Sequence, residues 1–274
     1  MQVYRGMDVG TAKPTPIERR GIPHHLIDVV EPSEEFTVAE FRRLGRTVLN
    51  EVEAPVIITG GSGLHFRALV DPMSFAPTDA ALRRELEGTE LAALVSELAA
   101  GDPEAGSHVD LANHRRVVRA VEILRLSGET PSSRARSAEA EDVRRYRSEI
   151  HFTAIGIDPG DDLDRRVDAR LQEMRGGGLV QEVRRLQGLL GRTAASAVGY
   201  REILVYLEGQ ASEDEAFEAV ATNTRKLARK QRTWFQRDPR IRWLPWLEDP
   251  VDRVARAMEA LGVATPPRPG RPLC

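Results

Sequence analysis

Residues 55–60, PVIITG, are the stretch that most restricts the fold. A β-branched run opened by Pro55 and closed by Gly60 and Gly61 has the pattern of a strand buried in a parallel sheet. It feeds a helix that begins near Ser62. Upstream, residues 24–31 (HHLIDVVE) read as a strand with an apolar centre. Residues 37–53 read as a helix, where Thr37 and Glu40 have the spacing of a capping box. Strand, helix, strand, glycine turn and helix in succession predict an α/β fold, a parallel sheet with crossover helices.

Apolar residues then recur at spacings of three and four from Thr78 to Gly128, first through Leu82, Leu86, Leu91, Leu94 and Leu98, then Val117, Val121 and Leu124. That period predicts helices. A polar segment, 130–147, follows, and 150–157 (IHFTAIGI) returns as a strand. Residues 79–148 are therefore expected to be a helical insertion domain in a core made of 1–78 and 149–262. Helices are expected at 161–174, 179–190 and 199–208, with a turn at Gly176-Gly177-Gly178. Ser212 and Glu215 form a second capping box and open a long helix to about Phe235. A last strand is expected at 241–244 and a last helix at 251–261. The proline-rich tail, 263–274, is expected to be disordered.

The length, 274 residues with 41% hydrophobic, supports one sizeable core and a smaller appended unit. The net charge of −3 favours no partner by itself. The cations, however, cluster at 115–119 and at 225–237, which suits an anionic partner docking on one face as well as it suits solvated helix faces. Cys274 is the only cysteine, so no disulfide can form within the chain and no metal site can be built from cysteines. That fits a reducing cytoplasm. No apolar run approaches the ~20 residues of a membrane span, and the N-terminus lacks the order of a signal peptide. The six histidines lie in unrelated segments or, as His24 and His25, point to opposite faces. No protein metal site is expected.

Five constellations carry polar chemistry. Met1 to Pro14 (MQVYRGMDVGTAKP) has no amphipathic period; it reads either as a substrate loop or as a loose terminus. Gly60 to Phe66 (GGSGLHF) follows the expected strand, where glycines, a helix N-terminus and the Ser62 hydroxyl suit an anion. An ordinary strand-to-helix turn explains it as well. The stretch 114–122 (HRRVVRAVE) sets Arg115 and Arg119 four apart with Arg116 beside them, opposite a valine stripe. Gly199-Tyr200-Arg201 presents an aromatic and a guanidinium before a helix. The stretch 224–240 places Arg225, Lys226, Arg229, Lys230 and Arg232 on one helix next to Trp234 and Phe235, a footprint suited to RNA. No GxxxxGK[ST] motif occurs in the chain.

Taken in order, QVYRGMDVGTAKP, IPHHLIDV, GGSGLHFRAL, RRVVRAVE, VGYREIL and TRKLARKQRTWF resemble the tRNA dimethylallyltransferase, or tRNA isopentenyltransferase, family. The resemblance runs from Gln2 to about Leu244. It implies a fold like that of P-loop kinases, with a helical insertion that grips the anticodon stem. It implies transfer of a dimethylallyl group from dimethylallyl diphosphate to N6 of the adenine at position 37 of tRNA, with Mg²⁺, in a cytoplasmic monomer. Gln2 matches the last position of the family's D-S-x-Q element, which holds the adenine. Ser62 matches a hydroxyl residue at the substrate channel. Arg83, Arg115, Arg116 and Arg119 match tRNA-contact positions, as do Tyr200, Arg201, Arg229, Lys230, Gln231 and Arg232. Arg201 also matches a position facing the diphosphate, so Ser62 and Arg201 are the expected catalytic pair.

Three departures stand against this pattern. The family's P-loop strand and helix have no counterpart in these residues, and neither does the aspartate of D-S-x-Q, the presumed general base. His65 replaces a usual tyrosine. The chain as it stands is therefore expected to be an inactive fragment. A non-catalytic RNA-binding remnant and an adenylate prenyltransferase acting on free nucleotide are the rival readings.

Overall fold

The computed structural model describes residues 1–53 and 55–263. The expected tail lies outside these apart from Val263, and Cys274 lies outside them altogether. In chain order the helices begin with α1 (Pro16–Arg19), α2 (Val38–Glu51) and α3 (Gly63–Val70). Next come α4 (Ala80–Glu87), α5 (Leu91–Gly101), α6 (His114–Ser127), α7 (Pro131–Ala135) and α8 (Ala138–Arg144). Strand β1 (Ala154–Asp158) leads to α9 (Leu163–Gly176), α10 (Leu179–Leu186), α11 (Arg192–Ala195), α12 (Tyr200–Leu207) and α13 (Glu213–Phe235). Strand β2 (Ile241–Pro245) and α14 (Pro250–Leu261) close the described chain.

Both capping boxes form. Thr37 accepts from the Glu40 N–H and Glu40 returns to the Thr37 N–H. Ser212 and Glu215 do the same at the start of α13. Each satisfies N–H groups that have no partner inside the helix. β1 and β2 pair in parallel, with Ala154 opposite Ile241 and Asp158 opposite Pro245. The five helices α9 to α13 make the crossover between them.

Two expected strands do not form. Residues 55–60 form no strand and are unpaired among the described residues, and Ile57 is 85% exposed. β-Branched side chains favour extended backbone, but a strand also needs a neighbour's N–H and C=O groups. In 24–31, Leu26 (φ 60°) and Asp28 (φ 55°) turn left-handed. That leaves a single parallel bridge, Tyr4 to Val30.

The chain divides into two compact units, Met1–Leu69 with Phe152–Cys274, and Val70–His151. In the first, α10, α12 and α13 bury Leu179, Val183, Tyr200, Ile203 and Phe217 together with Tyr4 and Met7 of the N-terminal loop. In the second, α4, α5 and α6 meet through Leu86, Leu94, Leu98, Val117 and Val121. This unit is wider than the expected 79–148, for a physical reason. Val70 accepts from the Glu149 N–H at 2.8 Å. Arg119 binds the carbonyls of Ala76 and Pro77, each at 2.8 Å, and Glu122 accepts from the Asp79 N–H. Val70 is thus tied to Glu149, and residues 76–79 are fastened to α6.

Candidate active site

The loop Met1–Pro14 is not a loose terminus. Its polar backbone is gathered on Glu182 of α10, a side chain on the apolar face that also carries Leu179, Val183 and Leu186. The Glu182 carboxylate accepts from the N–H groups of Asp8 (2.9 Å), Val9 (2.8 Å) and Gly10 (3.1 Å), and from the Tyr200 hydroxyl (2.5 Å). Four donors on one buried carboxylate offset its desolvation. Gly10 lies flat on the Tyr200 ring, where a Cβ would come within 2.6 Å. Only glycine lets the backbone approach so closely.

A second anchor is Lys13, whose side chain is 4% exposed. Its ammonium binds Asp8 at 2.6 Å, Asp28 at 2.5 Å and the Tyr4 carbonyl at 2.9 Å. All three N–H donors have oxygen partners, so none is buried unsatisfied. Between these anchors the Gln2 side-chain amide donates to the carbonyls of Thr11 (3.1 Å) and Ala12 (3.0 Å). Ala12 is left-handed, φ 47°, a backbone state that costs an L-residue energy and persists where its surroundings impose it.

At the Gly60 turn, Ser62 Oγ and His65 Nδ1 share a hydrogen bond of 2.7 Å. Burial pushes the His65 imidazole below its ordinary value, and the Met1 ammonium lowers it further. A neutral imidazole orients the hydroxyl without adding charge. The end of α13 closes on this turn. Gln231 lies where a Cβ on Gly61 would stand, 2.7 Å away. The Trp234 indole covers Gly63, where a Cβ would approach to 1.9 Å. The Trp234-Phe235 pair read as RNA-facing is thus partly committed to packing, with Phe235 also tilted against Phe66 at 6.1 Å.

The expected cations divide into engaged and free. Arg201 gives one N–H to Glu202 at 2.6 Å, and its side chain stays 54% exposed. Glu202, buried, also accepts from Asn223 and from the Gly199 N–H. On α13, Arg232 pairs with Asp158 at 2.7 Å, while Arg229 stands 4.0 Å from Asp164 with its side chain 65% exposed. Lys230 is exposed, with no partner among the described residues. In the insertion unit, Arg83 and Arg119 converge on Glu122, each at 2.6 Å. These two hold the fold together; Arg115 and Arg116 are exposed, with Arg116 4.0 Å from Asp110, and the exposed Arg125 is engaged by Glu85 and Glu97.

Tyr200 needs correcting: expected to touch tRNA, it has no exposed surface. Its ring supports Gly10, and its hydroxyl, whose pKa is pushed up by burial and then by Glu182, donates to that carboxylate.

Glu182, Glu202 and Glu122 were not singled out from the sequence. The signal was there: each is a carboxylate set in the apolar stripe of its helix. Periodicity places such a residue inside, and a buried carboxylate needs donors.

No three His, Cys, Asp or Glu side chains converge as a metal cage among the described residues. Magnesium bound to a diphosphate needs only one or two protein carboxylates and completes its shell with phosphate and water.

The sequence as a whole has close relatives. The family profile described as IPP transferase matches residues 2–238. This chain belongs to the IPP transferase family. A tRNA dimethylallyltransferase of Bifidobacterium animalis subsp. lactis is 42% identical over 252 residues, covering 89% of this chain and 71% of the relative. One from Kineococcus radiotolerans is 44% identical over 280 residues, covering 97% and 85%. Among solved structures, the tRNA isopentenylpyrophosphate transferase of Bacillus halodurans is 32% identical, with a TM-score of 0.66, over 94% of this chain and 82% of that one. A eukaryotic dimethylallyltransferase acting on tRNA is 21% identical with a TM-score of 0.74, covering 98% and 73%, a likeness of fold alone. The α/β architecture with a helical insertion is therefore that of the IPP transferases, and the loop on Glu182, the Ser62 turn and the α13 cations all lie within the matched residues.

Proposed function

We propose that this IPP transferase moves a dimethylallyl group from dimethylallyl diphosphate to N6 of adenine 37 in the tRNA anticodon stem-loop. The observation that carries this reading is the family match across residues 2–238, which contains every element of the candidate site. The adenine leaves its stack to reach the site. Its exocyclic nitrogen forms a bond to the allylic carbon, the carbon–oxygen bond to diphosphate breaks and diphosphate leaves, and the nitrogen loses one proton to water.

The residues divide this work. Gln2 holds the base. Ser62, oriented by His65, offers a hydroxyl to the donor. Arg201 keeps N–H groups free beyond its bond to Glu202, and a guanidinium suits the charge gathering on the departing diphosphate. Arg115 and Arg116 on α6, and Arg229 and Lys230 on α13, neutralise phosphates of the stem. Mg²⁺ enters with the diphosphate and shields its charge; no residue described here is assigned as its ligand. The reading carries with it a cytoplasmic setting and a monomeric enzyme.

The test mixes this chain with unmodified tRNA, dimethylallyl diphosphate and Mg²⁺, and follows nucleoside mass. A gain of one dimethylallyl group on the adenosine next to the anticodon is the expected product of the family reaction. Binding of tRNA without transfer would bear out the expectation that this polypeptide lacks groups the reaction needs, and transfer would overturn it. Transfer to free adenosine monophosphate and not to tRNA would overturn the tRNA reading, as would failure to bind tRNA at low salt.

A further inference from the structure

Gln2 is held so that it has one thing to offer a base. Its amide nitrogen lies 3.1 and 3.0 Å from two carbonyl oxygens, Thr11 and Ala12. An amide oxygen in that place would face two acceptors, so the orientation of the amide is determined by its surroundings. Both N–H donors are thereby engaged. Oε1 remains, an acceptor with no partner among the described residues. A glutamine that reads adenine on two atoms needs a free N–H for N7, and Gln2 has none.

We infer that Gln2 reads the target base through Oε1 alone, by accepting from the exocyclic amine, and that Glu182 is the positioning residue that holds it in this state. The chain of contacts is short. Glu182 gathers the N–H groups of Asp8, Val9 and Gly10. The tight packing of Gly10 against the Tyr200 ring and Leu179 sets the height of the loop. Thr11 and Ala12 follow directly, and their carbonyls aim the Gln2 amide. Thr11 is braced by its own hydroxyl, which donates to the Met7 carbonyl at 2.6 Å, and Ala12 N–H donates to Val9 at 3.0 Å. The loop from 8 to 12 is therefore one braced body, standing on the Glu182 carboxylate under Asp8, Val9 and Gly10 and tied at Asp8 to Lys13. Selection for an amine-bearing base then depends on a residue far along the chain that need not touch RNA.

This inference rests on the tRNA reading proposed above, and the test separates the two. Affinity is measured for anticodon stem-loop RNA carrying adenosine or purine riboside, which lacks the amine, at the target position. Amide hydrogen exchange is measured in parallel on the free protein. The wild type is expected to favour adenosine roughly tenfold, the size of one hydrogen bond that would otherwise be lost on binding. Glu182→Gln places an amide N–H against the backbone donors. The adenosine preference then falls towards one while affinity for the purine riboside RNA stays as in the wild type, and exchange at Asp8, Val9 and Gly10 accelerates at least tenfold. General loosening of the fold would instead weaken both RNAs together. An unchanged preference in Glu182→Gln would overturn the positioning role, and a wild type blind to the amine would overturn the role of Oε1. Should the variant fail to fold, the wild-type exchange decides: three loop amides bound to a buried carboxylate exchange slowly, and fast exchange refutes the relay. A wild type that binds neither RNA refutes the tRNA reading, and the exchange measurement still tests Glu182.

Discussion

Glu122 has no exposed side-chain surface, yet it remains ionised. Burial alone would push its carboxyl up. Hydrogen bonds from Arg83, Arg119 and the Asp79 N–H outweigh burial and hold it below the ordinary carboxylate range. A carboxyl depressed on folding contributes stability above its unfolded value of about 4.3, and the contribution is lost as pH falls through the lower folded value. The urea midpoint of the wild type is therefore expected to be flat from neutral pH to about pH 5 and to decline below it. Glu122→Gln is expected to lose about 2 kcal/mol at neutral pH, because two guanidiniums and a backbone donor lose a charged acceptor while remaining partly hydrated. Its decline in acid should be shallower than that of the wild type, followed by circular dichroism. A variant with the wild-type acid profile would show that Glu122 is not the titrating group. At this scale the sequence was informative about which residues matter and less so about how. Arg119 and Tyr200 stand in motifs that suggest ligand contact, but the one ties down residues 76–77 and the other supports Gly10. Side-chain direction decides between those roles, and it is set by partners distant in the chain.

Helices were legible wherever their determinants are local. α13 begins at the Ser212 cap, and its first half buries Ala216, Phe217, Val220 and Ala221. Its second half carries the cations. Arg229 and Lys230 are exposed and bear no weight in packing, so Arg229→Gln with Lys230→Gln should leave the melting temperature unchanged. Stability effects of such surface changes stay within about 0.5 kcal/mol. If this helix meets RNA, the slope of log affinity for tRNA against log salt should become shallower by one to two units, roughly one per lost phosphate contact. Filter binding across a salt series measures it, and an unchanged slope would remove α13 from the interface. Strands were the less legible elements. β1 and β2 formed as expected because each supplies the other's ladder. Residues 55–60 have the same β-branched character and no pairing strand among the described residues, and 24–31 is broken by two left-handed residues.

At the scale of the whole molecule, that unpaired run leaves apolar surface in solvent. Val56, Ile57 and Ile58 are 40%, 85% and 44% exposed. An exposed extended apolar segment is a template for association between copies. Ile57→Lys is expected to raise the temperature at which light scattering begins, and to leave the unfolding temperature unchanged. A fall in that unfolding temperature would mean that Ile57 is buried in solution. Among the described residues no helix is long and apolar enough to cross a membrane.

The sequence by itself determined the family, the succession of most helices and the capping boxes. These follow from local propensity, periodicity and motif order, all carried within a few residues of one another. Tertiary structure alone decided which strands exist, where the insertion unit ends, and which cations are free for a partner. It alone turned the N-terminal loop into a rigid body, because the carboxylate under that loop lies more than 170 positions away. A buried carboxylate and the backbone donors that neutralise it are brought together by the folded core.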